Sequence, residues 1–223
     1  MHSVYADPSW ESYYRSRPRG RYPSEEAVRF FMARSPKDHA PRVLDIGAGA
    51  GALAWFMAKQ GADVVALEGA PAALRQLADT LRFFGVEERV ESVAGDIMRP
   101  SSHVSGSFDL LVDHYSLYAN HETRLRASLR EYLQLLAPGG SMLSCMFGVG
   151  CSGLETGVRI APNTWQDVAA GAHAGMTPVS LWTEAEAIEL YRSAGFAVLA
   201  TENLVHRRGE LTTEKLILHL GRG

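Results

Sequence analysis

The chain has 223 residues, of which 46% are hydrophobic, 21% charged and 9% aromatic, and its net charge is −3. That usage and length support a full globular core and exclude a disordered chain, a collagen and a coiled coil. The slight acidic excess argues against a duplex nucleic-acid binder, which carries clear basic charge.

Short apolar runs alternate with helical patterns along the chain, the signature of an α/β fold with a parallel sheet. An arginine-rich leader comes first, followed by a helix from Ser24. Strands are expected at 42–46, 63–67, 89–94, 108–112 and 140–145. Between them, 72–84 places Leu74, Leu77, Leu81 and Phe84 on one helical face, and 122–136 does the same with Leu125, Leu129, Tyr132 and Leu136. Thr183 and Glu186 form a capping-box pattern that opens a helix, and Gly195 closes it. Two last strands, 196–206 and 213–220, are joined by a short charged turn. The expectation is one doubly wound, Rossmann-like domain over 1–223 with seven strands, the last antiparallel. Residues 1–40 and 146–182 stand outside the alternation and read as a lid and a substrate-cap insert over the carboxyl edge of the sheet.

Two cysteines, Cys145 and Cys151, make neither a zinc spacing nor a disulfide framework and are expected as reduced thiols. Met1 to Arg15 lacks the apolar core of a signal peptide. The uncharged run 132–154 is broken by Pro138-Gly139-Gly140, so no membrane span and a cytoplasmic location are expected.

Val43 to Gly51 reads VLDIGAGAG, a strand entering a glycine-rich turn that opens a helix. Glycine lets the backbone approach a bulky ligand and adopt dihedrals that side chains forbid. Gly47, Gly49 and Ala52 also satisfy the dinucleotide fingerprint, so the turn alone leaves the ligand open. Glu68 ends the second strand, where a carboxylate can accept from a ribose diol.

Four segments in order resemble the class I S-adenosylmethionine-dependent methyltransferases, small-molecule type. They are VLDIGAGAG at 43–51, LEGAP at 67–71, AGDI at 94–97 and LAPGG at 136–140. An acid stands two positions before the first glycine, where nicotinamide-binding folds are usually apolar. The resemblance implies roles for particular residues. Gly47, Ala48, Gly49 and Gly51 pass beneath the methionine part of S-adenosylmethionine, with Asp45 orienting the loop or binding the amino group. Glu68, followed by Gly69, holds the ribose; Asp96 and the Ile97 N–H read the adenine; Asp113 faces cofactor or acceptor. The leader resembles the segment that covers the cofactor in such enzymes, and supplies Tyr14 and Arg19 as cofactor contacts.

His114 follows the fourth strand beside the expected sulfonium, where an imidazole suits proton abstraction. A role in shaping the loop stays open, and His121 and His173 are weaker candidates. Tyr115, Tyr118, Trp165 and Trp182 are expected around the acceptor. No Asp/Asn-Pro-Pro-Tyr, no Pro-Cys and no Asp-Asn pair after the fifth strand is present. The expectation is methyl transfer to an oxygen or nitrogen of a small molecule, without metal and without nucleic-acid or membrane partners. The alternatives are an S-adenosylmethionine-binding protein without transferase activity and an NAD-dependent oxidoreductase.

Overall fold

The computed structural model describes residues 5–16, 22–176 and 178–223. A seven-stranded sheet runs through the molecule in the order β3-β2-β1-β4-β5-β10-β9. Its strands are β1 (Arg42–Ile46), β2 (Asp63–Glu68), β3 (Val90–Ala94), β4 (Phe108–His114), β5 (Leu136–Phe147), β9 (Phe196–Arg208) and β10 (Leu211–Arg222). Pairing from β3 through β5 is parallel, and β10 runs antiparallel to both β5 and β9. The expected fold and the reversed last strand are therefore present. Neighbouring β1 and β4 are buried almost end to end, as a parallel sheet covered on both faces requires.

Among the described residues, six helices flank the sheet: α1 (Pro8–Ser16), α2 (Glu25–Arg34), α3 (Ala52–Lys59), α4 (Pro71–Phe84), α5 (Glu122–Leu135) and α6 (Glu184–Ser193). One core layer joins Phe30, Phe31, Met57, Leu77 and Leu81 to Val43, Leu110 and Leu143. The other joins Leu125, Leu129, Tyr132, Leu190 and Tyr191 to Leu44, Leu111 and Met142. Each fully buried aliphatic side chain of this kind contributes about 1.5–3 kcal/mol of apolar transfer. The ends follow local chemistry. Ser24 accepts from the Ala27 N–H to start α2. Pro71 opens α4 and Gly85, at φ 60°, closes it. Thr183 and Glu186 form the expected capping box.

Three segments differ from expectation. The turn at Pro138-Gly139-Gly140 lies inside β5, because the ladder to β4 starts at Leu136, skips, and resumes at Ser141. The insert is not irregular: β6 (Val158–Ala161), β7 (Thr164–Gln166) and β8 (Val179–Ser180) form their own antiparallel sheet. The leader carries α1, which begins at Pro8 and is braced by an Arg15–Glu11 pair one turn apart. Both cysteines are free and buried. Among the described residues, no helix is long and apolar enough to cross a membrane.

Candidate functional site

The carboxyl edge of β1, β2 and β4 opens into a cavity of about 700 Å³. Its floor is the glycine turn. Gly47, Gly49 and Gly51 have φ of 66°, 56° and 84°, values at which a side chain is strained. The Gly47 and Ala48 N–H groups both donate to Leu67 O, at 2.8 and 3.1 Å, which ties the turn to β2. A Cβ on Gly47 would run into the Ser116 side chain, and one on Gly49 into the Tyr14 hydroxyl. Gly51 packs over Leu77 and starts α3 from beneath; it does not line the cavity.

Three buried carboxylates stand under and beside this floor. Glu68 Oε1 accepts from the Gly69 and Ala70 N–H groups at 2.8 and 2.7 Å, and Oε2 from Gly49 at 2.9 Å. Burial raises its pKa, and those three N–H groups work against the rise. Glu68 thus clasps the turn while keeping lone-pair capacity on Oε2. Asp45 Oδ2 is buried with no hydrogen-bond partner. Burial pushes that carboxyl up to about 7, and the nearby Glu68 charge adds to the shift. The Ala54 N–H serves the same carboxyl, but an unpartnered buried oxygen beside a cavity costs free energy until a donor or cation reaches it.

Asp113 is a correction. Its side chain is fully buried and is not among those that line the cavity. Oδ1 accepts from the Ser116 and Leu117 N–H groups at 3.0 and 3.1 Å, and Oδ2 from the Ser144 hydroxyl at 2.7 Å. Burial raises its pKa to about 6. It shapes the loop after β4 and offers no free edge to a ligand. In that loop Tyr115 has φ 59°, an unusual conformation for a bulky residue.

Gly69, Asp96, Ile97 and Tyr14 line the same cavity. Asp96 Oδ1 accepts from the Met98 N–H at 2.9 Å, while Oδ2 is paired with Arg124 at 2.7 Å. Arg19 lies outside the described residues. Tyr5, Trp10, Tyr13 and Tyr14 form the outer wall. The Tyr5 N–H donates to Gly69 O, Glu11 accepts from the Ala72 N–H at the start of α4, and Gln76 donates to Tyr14 O. The leader thereby rests on the edge it was expected to cover.

The opposite wall is aromatic. His114, Tyr115, Tyr118, Phe147, Met176 and Pro178 line it. Tyr115 and Tyr118 lie 4.6 and 4.8 Å from the Phe147 ring. Trp165 and Trp182, both expected here, lie elsewhere. Trp182 is fully buried beneath the insert with Arg126 over its ring, and Trp165 is covered by Arg159. They were expected to line the acceptor; instead Trp165 lies in β7 and Trp182 follows β8, and neither is among the cavity-lining residues. Phe147, Met176 and Pro178 went unmarked, being ordinary apolar residues in sequence.

The histidines separate by environment. His121 accepts from the Thr123 N–H as the cap of α5. His173 is buried with neither ring nitrogen partnered, and burial lowers its pKa to about 4; it is not on the cavity wall. His114 is a third exposed at most and sits 3.3 Å from Glu26.

Residues 43–140 match the family model described as a methyltransferase domain. The fold recurs in solved structures. A 1,6-didemethyltoxoflavin-N1-methyltransferase of Burkholderia thailandensis, solved with S-adenosylhomocysteine, is 22% identical with TM-score 0.63, covering 88% of this chain and 76% of that one. The CcbJ methyltransferase of Streptomyces caelestis is 17% identical with TM-score 0.68, covering 100% and 99%. The [4+2]-cyclase SpnF is 18% identical with TM-score 0.66, covering 88% and 80%. The matched segment carries the glycine turn, the strand-end acids and the turn into β5. By that match residues 43–140 are similar to a methyltransferase domain, and the whole chain shares the fold of these solved structures.

Proposed function

We propose that the chain methylates an oxygen or nitrogen of a small molecule, and that it does so without a metal. The observation that carries this reading is one cavity with two unlike walls: a glycine turn backed by buried carboxylates, facing an aromatic wall that includes the His114 imidazole. The orphaned Asp45 oxygen suits the ammonium or sulfonium of S-adenosylmethionine, and glycines 47 and 49 leave room for its methionine part. Glu68 and Asp96 take the ribose and adenine. Bound there, the cofactor supplies an electrophilic methyl group. The aromatic faces favour a cation nearby and give a flat acceptor a surface to lie on. His114 takes the acceptor's proton.

Among the described residues, one group of possible metal ligands comes together: Glu26, His114 and Cys145, with ligating atoms within 4.8 Å of one another. The Lys215 ammonium acts on both Glu26 and Cys145, and burial holds the Cys145 thiol protonated. A thiol held protonated is a poor metal ligand, which supports the metal-free reading.

A second reading, cofactor binding without methyl transfer, is favoured by the cyclase that shares the fold. Mass spectrometry decides between them. The protein is incubated with S-adenosylmethionine and a panel of aromatic and aliphatic hydroxyl and amine compounds. A methylated product with stoichiometric S-adenosylhomocysteine supports transfer. Tight S-adenosylhomocysteine binding with no product across the panel supports the second reading.

A further inference from the structure

Glu26 stands at the second position of α2, 88 residues before His114 in sequence, yet its Oε1 lies 3.3 Å from His114 Nε2. The glutamate side chain is only 17% exposed. The hydrogen bond to His114 holds its carboxyl well down, at about 2, so it is an anion at any working pH. A carboxylate can only accept. His114 Nε2 must therefore carry the proton, and Nδ1 is left with the ring's one lone pair. The neighbours reinforce the arrangement. Asp113 fixes the loop that follows His114, and the Lys215 ammonium stands 5.4 Å over the Tyr115 ring and acts on Glu26. His114 itself lines the cavity beside Tyr115.

We propose that Glu26 is a positioning residue: it locks His114 in the Nε2–H tautomer and presents Nδ1 as the acceptor of the substrate's proton. This rests on the reading of His114 given above and extends it to a residue outside the matched segment. In the step, a lone pair on the acceptor atom forms the new bond to the methyl carbon. The C–S electron pair stays with sulfur, which becomes a neutral thioether, and the acceptor's proton passes to Nδ1. The imidazolium so formed already has its Nε2–H against an anion, and loses its new proton to water after the product leaves. An anion held beside the forming charge costs no reorganisation when the proton moves.

The alternative is that the contact merely pins α2 to the end of β4. Long-range ¹H–¹⁵N correlation spectra of the full chain, labelled in its histidine rings, separate the two. His114 is assigned by the signals lost in His114→Gln. The expected wild-type pattern is a single Nε2–H tautomer at pH 8. In Glu26→Gln, whose amide can donate as well as accept, the pattern should become mixed or reversed, while S-adenosylhomocysteine affinity by calorimetry stays within about twofold. A pinning role changes the melting temperature and leaves the tautomer alone. A wild-type Nδ1–H tautomer, or an unchanged pattern in Glu26→Gln, overturns the proposal; the first needs no variant to fold. Failure of the wild-type protein to bind S-adenosylhomocysteine overturns the functional reading instead, whatever the tautomer.

Discussion

Arg124 Nη2 sits 2.7 Å from Asp96 Oδ2, at the place where the adenine amino group is expected to be read. The arginine is half exposed and the acid mostly covered, so the pair adds little to stability, about 0–1 kcal/mol. It does occupy one of the two oxygens that the adenine needs. Arg124→Ala should therefore move the melting temperature by only about 2–4 °C or less and leave S-adenosylhomocysteine affinity unchanged or improved. Asp96→Ala should weaken that affinity by about 1–3 kcal/mol. Titration calorimetry on both variants is the check; equal losses would mean that Arg124, not Asp96, faces the adenine.

Asp45 makes the stability of the ligand-free protein sensitive to pH. Its folded pKa, about 7, lies above its ordinary 3.8, with burial as the main cause. A carboxyl raised in the folded state holds a proton that the unfolded chain has lost, so its contribution to stability is present at low pH and declines as pH rises from about 4 to 7. Asp113, raised to about 6, acts in the same direction. The ligand-free protein should melt progressively lower across that window. Asp45→Asn should flatten the trend. S-adenosylhomocysteine brings an ammonium that favours the ionised acid, so binding at pH 6 should release protons. Calorimetry in buffers of different ionisation enthalpy would detect it, and identical apparent enthalpies would contradict the assignment.

Glu68 carries two tasks in one side chain. Removing it in Glu68→Ala leaves the Gly49, Gly69 and Ala70 N–H groups without their acceptor. Both the melting temperature and S-adenosylhomocysteine affinity should fall, the latter by about 1–3 kcal/mol. A variant that melts lower but binds as tightly as wild type would reduce Glu68 to a clasp.

Helix α1 buries none of its own residues completely, and a segment with so little buried area opens at low cost. Amides of residues 5–16 should exchange faster than those of α4 and become protected when S-adenosylhomocysteine binds. Equal protection in both states would make α1 a fixed wall and not a closing lid.

What could be read from sequence was local. The glycine turn, Glu68 and Asp96 are defined by a few neighbouring positions at the end of a strand, and strand ends are legible from apolar runs. The capping box at Thr183 is equally local. Asp113 shows the limit: its place at the end of β4 was evident, but which way its side chain turns depends on Ser144 from β5. Glu26 shows it more sharply, because an acid in the first turn of a helix reads as dipole compensation until β4 brings His114 across from it. Trp165 and Trp182 were expected around the acceptor, and only the packing of the insert, with Trp165 in β7 and Trp182 bridged to Gly148, decides where those rings face.

That small sheet is fastened to the rest of the protein mainly at one place, the start of α5. The Glu122 N–H donates to Thr164 Oγ1, the Asn163 N–H to Glu122 Oε2, and Ser180 reaches Tyr118 O and Asn120 O through its N–H and hydroxyl. The connection between its second and third strands brings Ala172, Met176 and Pro178 to the cavity wall, beyond the 43–140 segment that carries the glycine turn. Part of the cavity wall is thus written in a stretch of chain separate from the glycine turn. A graft of another insert that keeps partners for Glu122, Tyr118 and Asn120 has a ready socket, and can reshape that part of the wall without rebuilding the glycine turn.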